Sequence, residues 1–183
     1  YKLTNANGNT KKMTHWGPGV TVTATGSSNK LCSDGVIHWT DSALLAVLLN
    51  PVQANIGPPV RLFEIEVDDT RVTHDGLKGG SKTARCVREI PVPEMSLEQK
   101  VQFGILCVLE VFHDVKWVRW VRGWLSGQDR SIEAAEAAYA TAKAVWDAAR
   151  EEGASDAHTA GAAAEAACPN LVAIAERAME AII

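Results

Sequence analysis

The sequence lacks the patterns that mark membrane segments and the commonest enzyme sites. No apolar run approaches the roughly 18 residues that a membrane-spanning helix needs. A Gly-x-Ser-x-Gly nucleophile elbow is absent, and so is the spacing of a phosphate-binding Walker loop. His113 and Asp114 are adjacent, and neighbouring residues on a helix point about 100° apart, so they cannot orient each other as a His–Asp pair. We therefore expect no membrane segment, and nucleophilic catalysis has little support.

Cysteine occurs four times and never as a Cys-x-x-Cys pair. Scattered cysteines in a chain able to build its own core predict reduced thiols and a cytoplasmic protein. Cys32 and His38 could contribute to a zinc site with Cys86 as a third ligand. The alternative is a turn at Asp34 whose following strand carries His38 into the core. Because a zinc site would need ligands from separate strands to converge, we predict no metal.

Neither sign of charge is in large excess. The formal net charge is −4, which argues mildly against a general nucleic-acid partner. Apolar residues make up 46 % of the 183 residues and charged residues 22 %, as in a globular protein of one domain, or a small domain with a helical appendage. The chain begins at Tyr1 rather than at a methionine, from which we expect a trimmed start.

Residues 1–95 predict a β-rich α+β domain, with a small mixed β-sheet and one embedded helix. In the segment 60–67, Phe63, Ile65 and Val67 alternate with Leu62, Glu64 and Glu66, the period of a strand. The same reasoning places strands at 20–25, 36–39 and 83–90, with a glycine-rich turn at 76–80. A helix is predicted at 43–49, capped by Asp41 or Thr40 and stopped by Pro51.

The second half predicts helices only. Residues 96–130 read as amphipathic helices docked on the first domain: one begins at the capping box 96–99, and another runs from Asp114 to Leu125 and ends at Gly127. On the first of these, Val101, Ile105, Val108 and Phe112 form one apolar stripe. Residues 131–183 contain 21 alanines in 53 positions, which predicts an Ala-rich helical hairpin or bundle and a homo-oligomer.

Residues 30–90 resemble an uncharacterised domain found in phage and mobile-element proteins. That family has the pattern Cys-x-x-Gly-aromatic-His, a short helix and a strand with Arg, Phe and Glu-Val. In this chain the Cys-x-x-Gly part is Cys32 to Gly35, and His38 lies one position later than the histidine of the family. The helix follows, and the strand is the segment 61–67. The resemblance implies a phage-associated protein in a bacterial or phage-infected cell, and it implies no activity.

The order strand, helix, strand is also similar to ADP-ribosyltransferase-like folds. The likeness rests on Glu64-Ile65-Glu66, a Glu-x-Glu pattern in which one carboxylate stabilises the oxocarbenium ion as nicotinamide leaves. It implies that Glu64 or Glu66 is catalytic and that NAD is the cofactor. The alternative is a solvated strand face, which Glu-x-Glu also describes and which we favour.

Two other segments could bind a ligand or a partner. The backbone amides of 76–82 could form an anion nest, with the ligand-binding residues Lys78, Gly79, Gly80 and Lys82, although a mobile hairpin loop fits the spacing better. On a helical wheel, three tryptophans of 116–124 lie on one side and three cations on the other. The interaction candidates are Trp117, Trp120 and Trp124, with Tyr139 and Trp146 on the Ala-rich stretch. The clean separation of faces favours tryptophans packed in the core.

These observations leave three hypotheses. We favour a non-catalytic accessory protein of phage or mobile-element type, with no cofactor, which binds a protein partner or a second copy of itself through its helices. The first alternative is an ADP-ribosyltransferase-like enzyme that binds NAD. The second is a structural protein that assembles through the Ala-rich helices.

Overall fold

The chain forms two compact units in the computed structural model. The structure describes residues 1–68, 71–74, 78–111, 113–131, 133 and 170–180. One unit comprises Tyr1–Ser96 with Asn170–Glu176, and the other comprises Leu97–Pro169 with Arg177–Ile183. Most of the Ala-rich segment, including Tyr139 and Trp146, lies outside the described residues.

Strands dominate the first half and helices the second, so the predicted α+β class is confirmed. The strands are β1 Lys2–Asn5, β2 Thr21–Thr23, β3 Ile37–Trp39, β4 Val60–Val67, β5 Arg71–His74, β6 Gly79–Ser81 and β7 Thr83–Ile90. The helices are α1 Ala43–Leu48, α2 Asn50–Gln53, α3 Leu97–Val111, α4 Val115–Leu125 and α5 Leu171–Met179. Among the described residues, no helix is both long and apolar enough to cross a membrane.

The larger sheet has the order β1-β4-β7-β2, and all of its pairings are antiparallel. The two faces of β4 carry different side chains, as its alternation predicted. Phe63, Ile65 and Val67 pack with Trp16 and Cys86 on one face. On the other face, Leu62 packs with Leu3 and with Ala46 of α1. The register shifts between Glu64 and Ile65, where β7 contributes one extra residue.

The smaller sheet has the order β3-β6-β5 and is also antiparallel, so the predicted single mixed sheet is in fact two antiparallel sheets. Gly79 lies between Trp39 on β3 and His74 on β5. A Cβ atom at Gly79 would come within 2.1 Å of the Trp39 ring, so only glycine leaves room for the indole. The segment 79–81 is therefore a buried strand, where the sequence predicted the end of a turn.

The helix ends are set by local hydrogen bonds. Ser42 caps α1, because its Oγ accepts a hydrogen bond from the Leu44 amide at 3.2 Å, and this replaces the predicted cap at Asp41 or Thr40. Pro51 lies in the first turn of α2, where a missing N–H costs nothing. On α3, Ile105 is buried as predicted, but Val101 is 38 % exposed, and Phe103 and Leu106 are buried as well. Phe112 and the side chain of Val108, the other members of the predicted stripe, lie outside the described residues.

Candidate functional site

Helix α4 is fixed at both ends by its own residues. The Asp114 carboxylate accepts hydrogen bonds from the amides of Lys116 and Trp117, at 2.9 and 3.1 Å. At the other end the Ser126 amide donates to the Arg122 carbonyl at 3.1 Å, and Gly127 follows with φ of 72°. The limits Val115–Leu125 agree with the sequence prediction, since both caps are local signals.

The two faces of α4 differ completely in character. Trp117 and Val121 are buried with Ile105 of α3, and the Trp117 and Trp120 rings lie 5.0 Å apart between centroids. The opposite face carries the exposed cations Lys116, Arg119 and Arg122. The tryptophans are therefore committed to the core of this unit, and the cations face solvent.

A shallow groove follows the exposed face of α4. It encloses about 670 Å³, and its lining residues are His113, Val115, Val118, Arg119, Arg122, Gly123, Gln128 and Asp129. Val115 is 71 % exposed at the start of the helix. The groove thus combines cations with an apolar surface, and one wall comes from the segment that follows the helix.

That wall is held against the helix by several bonds. The Asp129 amide donates to the Gly123 carbonyl at 3.1 Å. Arg130 donates to the Trp124 carbonyl at 3.2 Å, forms an ion pair of 2.5 Å with Glu98, and lies 4.8 Å from the centre of the Trp124 ring. Hydrogen bonds from the side chain and the amide of Ser131 lower the pKa of the Asp129 carboxyl. Asp129 therefore adds a fixed negative charge to the wall.

Glu64 and Glu66 lie on the opposite face of β4 from the Phe63 cluster. Glu64 forms an ion pair of 2.6 Å with Arg88, and Glu66 one of 3.5 Å with Arg85. Ile65, between them, faces Cys86, so the two glutamates and Cys86 do not share a pocket. The predicted catalytic pair is a set of cross-strand ion pairs on a sheet face.

The segment 78–82 is built into the first unit rather than around an anion. Gly79 and Gly80 are buried in β6. The Lys82 ammonium donates to three carbonyls, those of Gly26 at 3.0 Å, Ser28 at 3.5 Å and Gly35 at 2.8 Å, and so holds the loop 26–35 in place. Lys78 also has interactions of its own. Gly76 and Leu77 lie outside the described residues, so the anion nest stays a prediction.

Two of the candidate zinc ligands, Cys32 and His38, come together through a hydrogen bond from the backbone of Cys32. His38 accepts a hydrogen bond from the Cys32 amide through Nε2 at 2.8 Å, which occupies one of its two ring nitrogens. Cys86 is buried in the Phe63 cluster, where burial raises the pKa of its thiol. Among the described residues, no group of three or more His, Cys, Asp or Glu side chains could hold a metal ion.

Two polar arrangements were not predicted from the sequence. His74 and Asp41 lie 2.8 Å apart, Nε2 to Oδ2, with the His74 ring 5.7 Å from that of Trp39. Lys2 donates to the His38 carbonyl at 2.5 Å, and burial lowers the pKa of its ammonium to about 8. The partners are 33 and 36 residues apart in the chain, so the tertiary fold brings them together rather than a local sequence pattern.

Comparison with known proteins identifies no relative of this chain. No family model, no curated protein and no solved structure matches this chain.

Proposed function

We propose that this chain is a non-catalytic binding protein that engages a protein partner, or a second copy of itself, through the groove on α4. The observation that carries the proposal is the division of that helix. Its tryptophan face is buried with Ile105, while Arg119 and Arg122 line an open groove. A helix fixed by its own core on one side can present the other side to a partner without reorganising.

The geometry of the two glutamates supports this proposal over the enzyme hypothesis. Glu64 and Glu66 are each paired with an arginine of β7, while Cys86 is buried in the Phe63 cluster on the other face of β4. An accessory role of phage or mobile-element type is part of the proposal and rests on the resemblance of residues 30–90. A cytoplasmic location is part of it as well and rests on the scattered cysteines.

Photo-crosslinking from a single position tests the proposal. Val115 in the groove and Met13 in the other unit are both 71 % exposed, so they form a matched pair of sites for a benzoylphenylalanine residue. Irradiation in cells of the source organism should give a discrete crosslinked product from position 115 and none from position 13. The product should also be lost in the Arg119→Glu/Arg122→Glu background.

The partner in that product is identified by mass spectrometry, and a product of two copies of this chain supports self-association. The same product from both positions, or no product from position 115, would contradict the proposal.

A further inference from the structure

We infer that the α4 groove takes an acidic protein segment that also carries apolar side chains. The inference rests on the proposed function and names the class of partner. The evidence is the missing counter-ions of the α4 arginines, the position of Lys116 along the helix and the apolar residues beside the arginines.

The two arginines that line the groove have no counter-ion among the described residues, a property that they share with the exposed Arg177. Four arginines form ion pairs: Arg61 with Glu89, Arg85 with Glu66, Arg88 with Glu64 and Arg130 with Glu98. The side chains of Arg119 and Arg122 make no hydrogen bond or ion pair with any described residue. Residues three apart on a helix are surface neighbours, so these two guanidinium groups repel each other. An acidic ligand would relieve that repulsion.

Lys116 is a further exposed cation of α4, although it does not line the groove. It stands in the first turn of α4, where the helix dipole disfavours a cation, and that turn contains no acidic residue. The Asp114 carboxylate at the N-cap, which accepts a hydrogen bond from the Lys116 amide, partly offsets it. A charge arrangement that lowers helix stability without a local gain is typical of a functional surface.

The apolar part of the groove selects protein over nucleic acid. Val115 is 71 % exposed, and Val118 lines the groove beside the arginines. A ligand that covers them gains from burying apolar surface, which a phosphate backbone does not offer. Bases would need exposed aromatic rings, but Trp117 is 6 % exposed and packs with Ile105.

The test measures binding of a fluorescein-labelled peptide of Glu and Leu residues to the purified chain by fluorescence anisotropy. We expect saturable binding that weakens with added salt, and binding about tenfold weaker in Arg119→Glu/Arg122→Glu. The matched control is Lys11→Glu/Lys12→Glu, which changes the net charge equally at exposed positions of the other unit and should bind like the wild type. Val115→Ser should weaken binding while leaving its salt dependence unchanged.

The Lys116→Glu variant distinguishes a lost contact with the peptide from a loss of folded structure. It should raise the thermal midpoint, because the charge then suits the helix dipole, and it should still weaken peptide binding. A lower thermal midpoint together with weaker binding would show that the substitution disturbs the fold, and it would overturn the inclusion of Lys116 in the binding surface.

Two results would overturn the partner class. One is equal loss of binding in both double variants, and the other is binding of a single-stranded DNA of equal charge as tightly as the peptide. A specific crosslink from position 115 that survives Arg119→Glu/Arg122→Glu would refute the acidic partner while leaving a binding function of the groove intact.

Discussion

At the scale of single residues, Gly79 shows how one absent side chain sets the packing of a sheet. A Cβ atom there would lie 2.1 Å from Cζ2 and 2.2 Å from Cη2 of Trp39. We expect Gly79→Ala to lower the free energy of unfolding by about 1–3 kcal/mol, the usual cost of overpacking. Urea denaturation measures it, with Gly57→Ala as the control, since no described atom lies within 4 Å of a Cβ at Gly57. Equal stability of the two variants would refute the packing role.

Lys2 makes stability depend on pH, with a sign that follows from its burial. Although the residue is only partly buried as a whole, its ammonium is enclosed near Trp16, and burial lowers its pKa from 10.5 to about 8. Between these pH values the unfolded chain holds a proton that the folded chain has lost. Unfolding therefore takes up a proton, and stability rises with pH by at most about 1.4 kcal/mol per unit from this group.

Lys2→Met should accordingly be more stable than the wild type below about pH 8, where the cost of the buried charge is complete. The difference should shrink as the pH rises towards 10.5. Unfolding curves of both proteins across this range measure it, and subtracting one from the other removes the contributions of all other groups. A difference that is constant with pH would show that the Lys2 ammonium is not desolvated.

At the scale of elements, α4 depends on its first hydrogen bonds. Asp114→Ala removes the acceptor for the Lys116 and Trp117 amides and should lower stability by about 1 kcal/mol. Asp114→Asn keeps an acceptor oxygen and should stay close to the wild type, which makes it the matched control. Circular dichroism during thermal unfolding reports both variants. An Asn variant as unstable as the Ala variant would assign the effect to lost charge rather than to the cap.

The elements that the sequence predicted are those with local signals. The limits of β4, β7 and α4 agree with their predictions, because alternation, breakers and caps act within a few residues. β5 and β6 were missed: β6 is Gly-Gly-Ser, which has low strand propensity and is a strand only because Trp39 packs over it. The buried side of α3 differs from the predicted apolar stripe, because apolar residues surround most of the helix. The periodicity therefore does not indicate which side is buried.

At the scale of the whole molecule, the candidate site was only partly predictable. The wheel of α4 correctly separated Trp117 from Arg119, since both lie on one helix. The wall formed by Gln128 and Asp129 depends on how the chain folds back after Gly127, for which the sequence carries no periodic signal. Likewise, the partners of Glu64 and Glu66 follow from the register between β4 and β7, including the bulge, which alternation alone does not determine.

That register leads to the prediction that separates the binding and enzyme hypotheses. Glu64 is paired to Arg88 and Glu66 to Arg85 on a sheet face, so both carboxylates already have cationic partners. We expect millimolar NAD to leave the thermal midpoint unchanged, and Glu64→Gln/Glu66→Gln to cost at most about 1 kcal/mol, as exposed ion pairs do. Differential scanning fluorimetry of both proteins, with and without NAD, measures these effects. An NAD-dependent rise of the midpoint in the wild type that disappears in Glu64→Gln/Glu66→Gln would restore the enzyme hypothesis, because a ligand stabilises only the state that binds it.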